Sequence, residues 1–164
     1  MPQVTDIEAR IDRLESQRAI ERLIAKYAHA FDLQDIDILR SIWHEGATLR
    51  LGEPFGNFTG VDAIVGAAHQ LWSQSPRMHH WMSNAVIDID GDTATATTAL
   101  DCFVTNIESG PTQVGGIYHD RFERQDGQWG MVERVFDLHY FTPIKSWTPA
   151  HGSETTPLSV PAPR

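Results

Sequence analysis

Several features that mark specialised classes of protein are missing from this sequence. Among its 164 residues Cys102 is the sole cysteine, so no disulfide can form within the chain, and a reducing environment is expected. No apolar run approaches the roughly 18 residues that a membrane span requires. The acidic stretch 1–13 has no apolar centre of the kind that signal peptides carry. We therefore expect a soluble, cytoplasmic protein.

Positive charge is also scarce. The chain has 13 Lys and Arg against 22 Asp and Glu, which gives a formal net charge of -9. This excess of negative charge makes nucleic acid and anionic membranes poor partners. A hydrophobic content of 41% and a charged content of 21% are typical of one globular domain with a sizeable core.

The first half of the chain has helical periodicity. Apolar residues recur at helical spacing and predict a helix over 6–31. A shorter helix follows, with Asp35 or Asp37 as its N-cap, and a third helix is predicted over 61–72. A short strand is predicted over 47–51. The residues that predict turns after this strand are Gly52, Pro54, Gly56 and Gly60.

The second half alternates as strands do. Asp90-Gly91 and Asp126-Gly127 are strong hairpin turns. The strands they help to delimit are predicted over 79–89, 93–105, 116–125 and 128–140. Three helices on one face of a curved antiparallel sheet make an α+β fold with a pocket between the layers. We assign 1–144 to a single domain and 145–164, which holds four of the nine prolines, to a C-terminal tail.

The strand that begins near residue 78 carries candidate functional residues. Because strand side chains alternate, one face is predicted to carry His80, Met82, Asn84 and Val86, with His79 and Trp81 on the other. A histidine and an amide on one face can line a cavity. The alternative is a hydrogen-bonded core histidine beside a polar edge residue.

Two residues of the first helix also have both a structural and a functional interpretation. Tyr27 lies in the middle of the apolar face, either as a core tyrosine or with its hydroxyl directed into a pocket. Asp32 falls at the C-terminal end, where an acid opposes the helix dipole by roughly 0.3–1 kcal/mol. It is either a solvated turn acid or an acid placed there for function.

Several segments carry a resemblance to a known family. The order of elements and these segments resemble the SnoaL-like, nuclear transport factor two-like family, and within it the branch of hexachlorocyclohexane dehydrochlorinase and scytalone dehydratase. The likeness covers roughly residues 15–144 and implies a cone-shaped α+β fold whose helices close a pocket. The segments are Ala19-Ile20 followed by Asp32, Ser41-Ile42-Trp43, His80 with Asn84, Gly115-Gly116-Ile117-Tyr118, Phe122 to Trp129, and His139 to Pro143.

The resemblance also implies a site. The family's catalytic histidine on the first long strand and its aspartate at the end of the first long helix fall on His80 and Asp32. The dehydrochlorinase lysine position is Tyr27 here, its cysteine position is Met78, and its last-strand arginine is matched approximately by Arg134. These departures weigh against dehydrochlorination itself and leave the acid–histidine pair in place.

These residues predict a cofactor-free lyase or isomerase of dehydratase, dehydrohalogenase or polyketide cyclase type. His80 would act as general base, with Asp32 fixing its tautomer, on a small hydrophobic substrate. Catalytic metal is not expected, because His79 and His80 point to opposite faces and no ligand spacing is present. The residues predicted to bind the substrate or steady its developing charge are Tyr27, Trp43, Met82, Asn84, Arg134 and Phe136.

Two other classes of function stay open at this point. One is a non-catalytic module that binds a small ligand, and the other is the β subunit of a ring-hydroxylating dioxygenase. The acid–histidine pair favours an enzyme over both. We also expect a homo-oligomer, trimer or dimer, because His79, Trp81 and Phe103 offer aromatic area on the outer face.

Overall fold

A computed structural model describes residues 4–108 and 110–145, with side chains from residue 6 onward. Within these residues the helices are α1 (Val4–Leu33), α2 (Ile36–Ser41) and α3 (Val61–Gln74). The strands are β1 (Trp43–Gly52), β2 (Gly56–Thr59), β3 (Arg77–Asp90), β4 (Thr93–Asn106), β5 (Gly110–Gln125) and β6 (Gln128–Pro143). Apart from Lys145, the tail expected over 145–164 lies outside the described residues, so the division into domain and tail stays a prediction.

The three helices form where the periodicity predicts them. The apolar stripe of α1 turns Ile20 and Ile24 into the core, where both are buried. The side chain of Asp35 caps α2 by accepting a hydrogen bond from the backbone N–H of Ile38 at 2.9 Å, which selects one of the two predicted caps. In the part of the chain that the structure describes, no helix is long and apolar enough to cross a membrane.

The strands form one six-stranded sheet in the order β2-β1-β6-β5-β4-β3. The antiparallel meander from β3 to β6 confirms the prediction, and the α+β class is confirmed with it. One pair departs from an antiparallel sheet, because β1 runs parallel to β6, with Leu49 opposite Arg134. This pairing joins segments more than 80 residues apart, so no local turn signal could predict it.

The segment after β1 was predicted as turns and instead contains a strand. Gly56–Thr59 forms β2 and pairs antiparallel with β1, with Phe58 opposite Leu49. The glycines and proline predict the turn between the strands correctly. Four residues are too few for alternation to show, so the prediction of turns alone is wrong for this stretch.

A β-bulge changes the face of the second part of β3. Ser83 pairs with Ala99 and Val86 with Thr97, so three steps along β3 match two steps along β4. Asn84 supplies the bend with a φ of 54°, a left-handed conformation that asparagine tolerates better than most residues. Beyond the bulge Val86 is exposed and Ile87 packs on the core. The prediction that Asn84 and Val86 share the inner face of His80 is therefore wrong.

The outer face of the sheet carries the aromatic residues predicted for it. Trp81 is 49% exposed, and its ring contacts those of His79 and Phe103 at centroid distances of 4.2 and 5.5 Å. His79 and Trp81 thus lie on the exposed face of β3, although Nδ1 of His79 is still within 3.7 Å of Oδ2 of Asp32 at the end of α1. Homo-oligomer formation through this face stays a prediction.

The bulge generates a test of backbone strain. Asn84→Gly should leave the free energy of unfolding within about 0.5 kcal/mol of wild type, while Asn84→Val should cost about 1–2 kcal/mol because a β-branched residue resists positive φ. Urea unfolding measures both. Ser83→Val, at the exposed neighbouring position, is the matched control. Equal stability of Asn84→Val and wild type would contradict the bulge.

Candidate active site

The end of α1 and the start of β3 bring Asp32 and His80 together. Nδ1 of His80 lies 2.6 Å from Oδ1 of Asp32, and the backbone N–H of His80 donates to Oδ2 at 2.9 Å. Both side chains are nearly buried, with exposed fractions of 8% for His80 and 12% for Asp32. The contact predicted between these residues, 48 positions apart, is present.

The two hydrogen bonds explain why an acid is tolerated at the C-terminal end of α1. An acid in the last turn opposes the helix dipole by about 0.3–1 kcal/mol. Hydrogen bonds to a charged group stabilise by about 1.5–3 kcal/mol each, so the pair from His80 outweighs that penalty. The exposed His79 lies farther off, with its Nδ1 at 3.7 Å from Oδ2 of Asp32.

The contact also fixes the chemistry of the imidazole. A carboxylate only accepts hydrogen bonds, so Nδ1 of His80 carries a hydrogen, and in the neutral ring the lone pair then lies on Nε2. The ring is held between aromatic neighbours, with centroid distances of 6.3 Å to Tyr27 and 5.9 Å to Phe31. Phe31 is itself anchored, because Nε1 of Trp72 donates to its carbonyl at 3.1 Å.

His80 lines a cavity of about 420 Å³ between the helices and the sheet. This volume lies within the range of small-ligand sites. Polar side chains in its wall include Tyr27, Tyr118 and Cys102 beside His80. Most of the wall is apolar, from Phe31, Leu49, Leu51, Phe55, Phe58, Ile64, Leu71, Met78, Leu100, Val104, Val114, Phe136 and Phe141.

Of the six predicted substrate-binding residues, Tyr27 and Phe136 line this cavity. Trp43 does not, because it is buried beside Tyr27, edge-on to its ring at a centroid distance of 6.2 Å. Met82 packs on the core without lining the wall. The strand rises about 3.3 Å per residue, and the wall uses Met78, two positions before His80 instead of two after it. Asn84 is exposed at the bulge.

Arg134 lies behind the cavity wall. It is fully buried, and its Nε and Nη2 donate to the two oxygens of Asp120 at 2.7 and 2.6 Å. Its guanidinium contacts the rings of Tyr27 and Tyr118, at 4.0 and 4.1 Å from their centroids. Burial alone would lower the pKa of Arg134, but the Asp120 carboxylate outweighs burial and holds this pKa above its ordinary value. The prediction that Arg134 itself binds the substrate or steadies its developing charge is therefore wrong, because Arg134 does not line the cavity.

Tyr118 is a cavity residue that the sequence prediction missed. It lines the cavity and packs against Phe136 at a centroid distance of 4.9 Å. Burial raises the pKa of Tyr118 well above its ordinary value, so the hydroxyl stays protonated at neutral pH. A signal was available, since Tyr118, Asp120 and Phe122 alternate along one buried face of β5. A tyrosine two positions from an acid on such a face points to a polar cluster.

Among the described residues, the site contains neither a reactive thiol nor a group of side chains that could hold a metal ion. Burial raises the pKa of the Cys102 thiol to about 12, which keeps it as the unreactive thiol. Among the described residues, no group of three or more His, Cys, Asp or Glu side chains is placed to hold a metal ion. The polar groups of the cavity wall are the His80 imidazole and the Tyr27 and Tyr118 hydroxyls, together with the side chains of Gln70, Gln74, Ser75, Asn106 and Thr112.

Helices closing an open mixed sheet over an apolar cavity define the α+β fold of the nuclear transport factor two-like proteins. Residues 12–135 match the SnoaL-like domain family, and the chain belongs to this family.

Relatives of known activity include lyases. The chain is 25% identical over 137 residues to hexachlorocyclohexane dehydrochlorinase 1 of Sphingobium indicum, covering 82% of this chain and 88% of that protein. It is 26% identical to gamma-hexachlorocyclohexane dehydrochlorinase of the same species, covering 82% and 87%.

Solved structures share the fold. A type 2 hexachlorocyclohexane dehydrochlorinase (LinA) superposes with a TM-score of 0.83 at 24% identity, covering 88% of this chain and 99% of that one. A scytalone dehydratase-like protein of Novosphingobium aromaticivorans superposes with a TM-score of 0.74 at 22% identity, with the same coverage of 88% and 99%.

The buried ion pair behind the cavity should be needed for stability. Arg134→Met would leave the Asp120 carboxylate buried without its partner, at a cost of about 3–5 kcal/mol in the free energy of unfolding. Arg121→Met is the matched control on the solvent side, where the contact with Glu133 is 3.6 Å and the expected loss is below about 1 kcal/mol. Chemical denaturation measures both, and an equally small loss for Arg134→Met would contradict the burial of the pair.

The buried thiol should make stability depend on alkaline pH. The pKa of a thiol in the unfolded chain is about 8.5. In the folded protein, burial raises the pKa of the Cys102 thiol to about 12. The stabilising contribution is therefore complete below the unfolded pKa and is lost as pH rises toward the folded one. Between pH 8 and pH 10, wild type should lose about 1–2 kcal/mol more unfolding free energy than Cys102→Ser. If urea titrations gave the same pH dependence of stability for the two proteins, the raised pKa of folded Cys102 would be contradicted.

Proposed function

We propose that this protein is a cofactor-free lyase or isomerase in which His80 removes a proton from a carbon atom of a small hydrophobic substrate. The observation that carries the proposal is the 2.6 Å contact between Asp32 and Nδ1 of His80 at the wall of an apolar cavity. An imidazole held in this tautomer presents Nε2 as a base, the role that histidine most often has in proton transfer.

Asp32 has two roles in this mechanism. Before the reaction it orients the ring and fixes the hydrogen on Nδ1. When Nε2 takes the proton, the imidazolium gains a positive charge beside a carboxylate that is already in place and needs no rearrangement. The second oxygen of Asp32 is occupied by the backbone of His80, so the carboxylate cannot rotate away from the ring without losing a hydrogen bond.

The relatives favour a lyase over an isomerase. Both curated relatives are named as dehydrochlorinases, and a structural neighbour is named as scytalone dehydratase-like. Dehydrochlorination and dehydration each begin with loss of a proton from carbon, so one base serves both. Tyr27, at the position where the family resemblance has lysine, weighs against dehydrochlorination for this chain and toward dehydration.

The alternative classes lack such support. A module that only binds a small apolar ligand needs the cavity, and it gains nothing from a carboxylate that fixes an imidazole tautomer. The β subunit of a dioxygenase likewise has no use for the pair. The proposal accordingly assigns a catalytic role to Asp32 and His80 and a substrate contact to Tyr27 and Phe136.

The test compares wild type with two site variants on a panel of hydrophobic compounds with acidic C–H bonds. The panel contains chlorinated cyclohexanes, β-hydroxy ketones and simple ketones, and the readouts are chloride release, enone absorbance and deuterium uptake from D₂O by NMR. His80→Ala should lower kcat/KM by about 10²–10⁴-fold because the base is lost. Asp32→Asn should cost up to about 10⁴-fold because the tautomer is no longer fixed.

His119→Ala is the matched control, since this histidine is exposed on the neighbouring part of the sheet. It should keep wild-type rates, and thermal unfolding should show all variants folded. Equal rates for wild type and His80→Ala on every compound that is turned over would remove His80 from the mechanism. Saturable binding of the panel with no turnover would favour the binding module.

A further inference from the structure

Beyond His80, one end of the cavity carries uncharged polar side chains that the proposed mechanism does not use. This end lies where α3 and β4 finish and β5 begins. The backbone N–H of Ile107, just after β4, donates to the carbonyl of Gln74 at 2.9 Å, which ties the end of β4 to the end of α3. We call these side chains the polar end of the cavity, and they are Gln70, Gln74, Ser75, Asn106 and Thr112.

The strand register separates the polar end from the base. His80 is opposite Cys102, and Cys102 is opposite Val114. Thr112 lies two positions from Val114 along β5, so its side chain is on the same face in the next row. A rise of about 3.3 Å per residue and a strand spacing of about 4.8 Å put the Cα atoms of His80 and Thr112 roughly 10–12 Å apart. One small molecule can therefore contact both residues from opposite ends.

Two hydroxyl groups of the polar end are buried without a partner. Ser75 is 1% exposed and Thr112 is 3% exposed, and both residues line the cavity. Within the part of the chain that the structure describes, neither side-chain hydroxyl is hydrogen-bonded to another protein group. Burying a hydroxyl without a hydrogen bond is unfavourable, and buried polar groups normally have a partner. A polar group of a ligand in the cavity can supply that partner.

Neither hydroxyl is required by the local fold. Ser75 is the C-cap of α3, and its backbone N–H donates to the carbonyl of Leu71 at 2.7 Å, so the side chain is not used for capping. Thr112 is opposite Val104 on the inner face of the sheet. Valine has the same shape as threonine and would suit this apolar neighbour. Both hydroxyls are thus available to a ligand.

The cavity wall also lacks fully charged side chains. Among its described residues there is no Asp, Glu, Lys or Arg. A carboxylate or ammonium group bound at the polar end would lose its hydration without gaining an opposite charge, which is strongly unfavourable. The net charge of -9 further disfavours an anionic ligand. The polar end therefore selects a group that forms hydrogen bonds and carries no charge.

From this geometry we propose that the polar end binds an uncharged hydroxyl group of the ligand, at the opposite end from the carbon that faces His80. The hydroxyls of Ser75 and Thr112 can each donate and accept, as a ligand hydroxyl does, so the groups match. The ligand class is a mostly apolar, uncharged molecule with a hydroxyl group at its far end. That this ligand is a substrate rests on the proposed function, whereas its binding at the polar end does not.

Three naphthalene compounds test the assignment by equilibrium binding, followed through their fluorescence. Naphthalene, 2-naphthol and 2-naphthoate share one apolar body and differ by a hydrogen, a hydroxyl and a carboxylate. Thr112→Val and Ser75→Ala should each lower the affinity for 2-naphthol about 3–10-fold and leave that for naphthalene within about 2-fold of wild type, because only a hydrogen bond is lost. Wild type should bind 2-naphthoate about 10-fold or more weakly than 2-naphthol.

Thr97→Val is the matched control, since Thr97 is exposed on β4. It makes the same change of side chain away from the cavity, so it should bind all three compounds as wild type does. Circular dichroism and thermal unfolding show whether each variant is folded.

The His80→Ala background separates this inference from the proposed function. The polar end should bind the hydroxyl of 2-naphthol whether or not the base is present. Thr112→Val should therefore lower the affinity for 2-naphthol by the same factor in His80→Ala as in wild type. If His80→Ala turned over the panel of substrates as fast as wild type, the proposed function would fail and this binding result would stand.

A loss of affinity that is selective for 2-naphthol in either variant supports the inference. Unchanged affinity for 2-naphthol in both variants, or no saturable binding by wild type, would overturn it. So would an equal loss for naphthalene, because the effect would then be one of packing. Binding of 2-naphthoate as tight as that of 2-naphthol would overturn the assignment of an uncharged ligand.

Discussion

The Asp32 carboxylate accepts hydrogen bonds from both the ring and the backbone of His80, and much of the site depends on this arrangement. It joins the last turn of α1 to the first residues of β3, so the same contact attaches the helix layer to the sheet and orients the His80 ring. A helix that ended in an unpartnered acid would lose stability through its dipole, whereas here the acid is satisfied within the fold. The Asp32 carboxylate therefore both connects α1 to β3 and orients the His80 ring.

A second buried acid serves the opposite side of the cavity. Asp120 binds Arg134, and Arg134 supports Tyr27 and Tyr118 from behind. Because each acid has a hydrogen-bonded partner, two carboxylates can lie in an apolar core without large desolvation penalties. One acid orients the His80 ring, and the other holds the guanidinium that contacts the two tyrosine rings. The cavity has a mostly apolar wall, and a less polar environment than water strengthens electrostatic interactions.

The sequence predicts most of the fold because its signals are local. Helical spacing marks α1, α2 and α3, and the turns at Asp90-Gly91 and Asp126-Gly127 mark the meander. Three features carry no such signal. The parallel pairing of β1 with β6 is non-local, β2 is too short for alternation to show, and the bulge at Asn84 shifts the alternation by one residue.

The candidate site likewise contains residues that the sequence predicts and residues that it does not. Asp32 and His80 follow from their positions in the family pattern, and Tyr27 follows from its place on the apolar face of α1. Arg134 could not be placed from sequence, because its position behind the tyrosines depends on Asp120 on the adjacent strand. Trp43 and Met82 were misplaced because apolar periodicity predicts burial and does not say which buried side chains reach a cavity.

The central claim, that Asp32 fixes His80 with a free Nε2, can be measured directly by ¹⁵N NMR of the histidine side chains at mildly alkaline pH, where an ordinary imidazole is neutral. The account predicts a protonated Nδ1 and an unprotonated Nε2 for His80 in wild type, with loss of this preference in Asp32→Asn. A His80 ring protonated at Nε2, with Nδ1 bare, would contradict it.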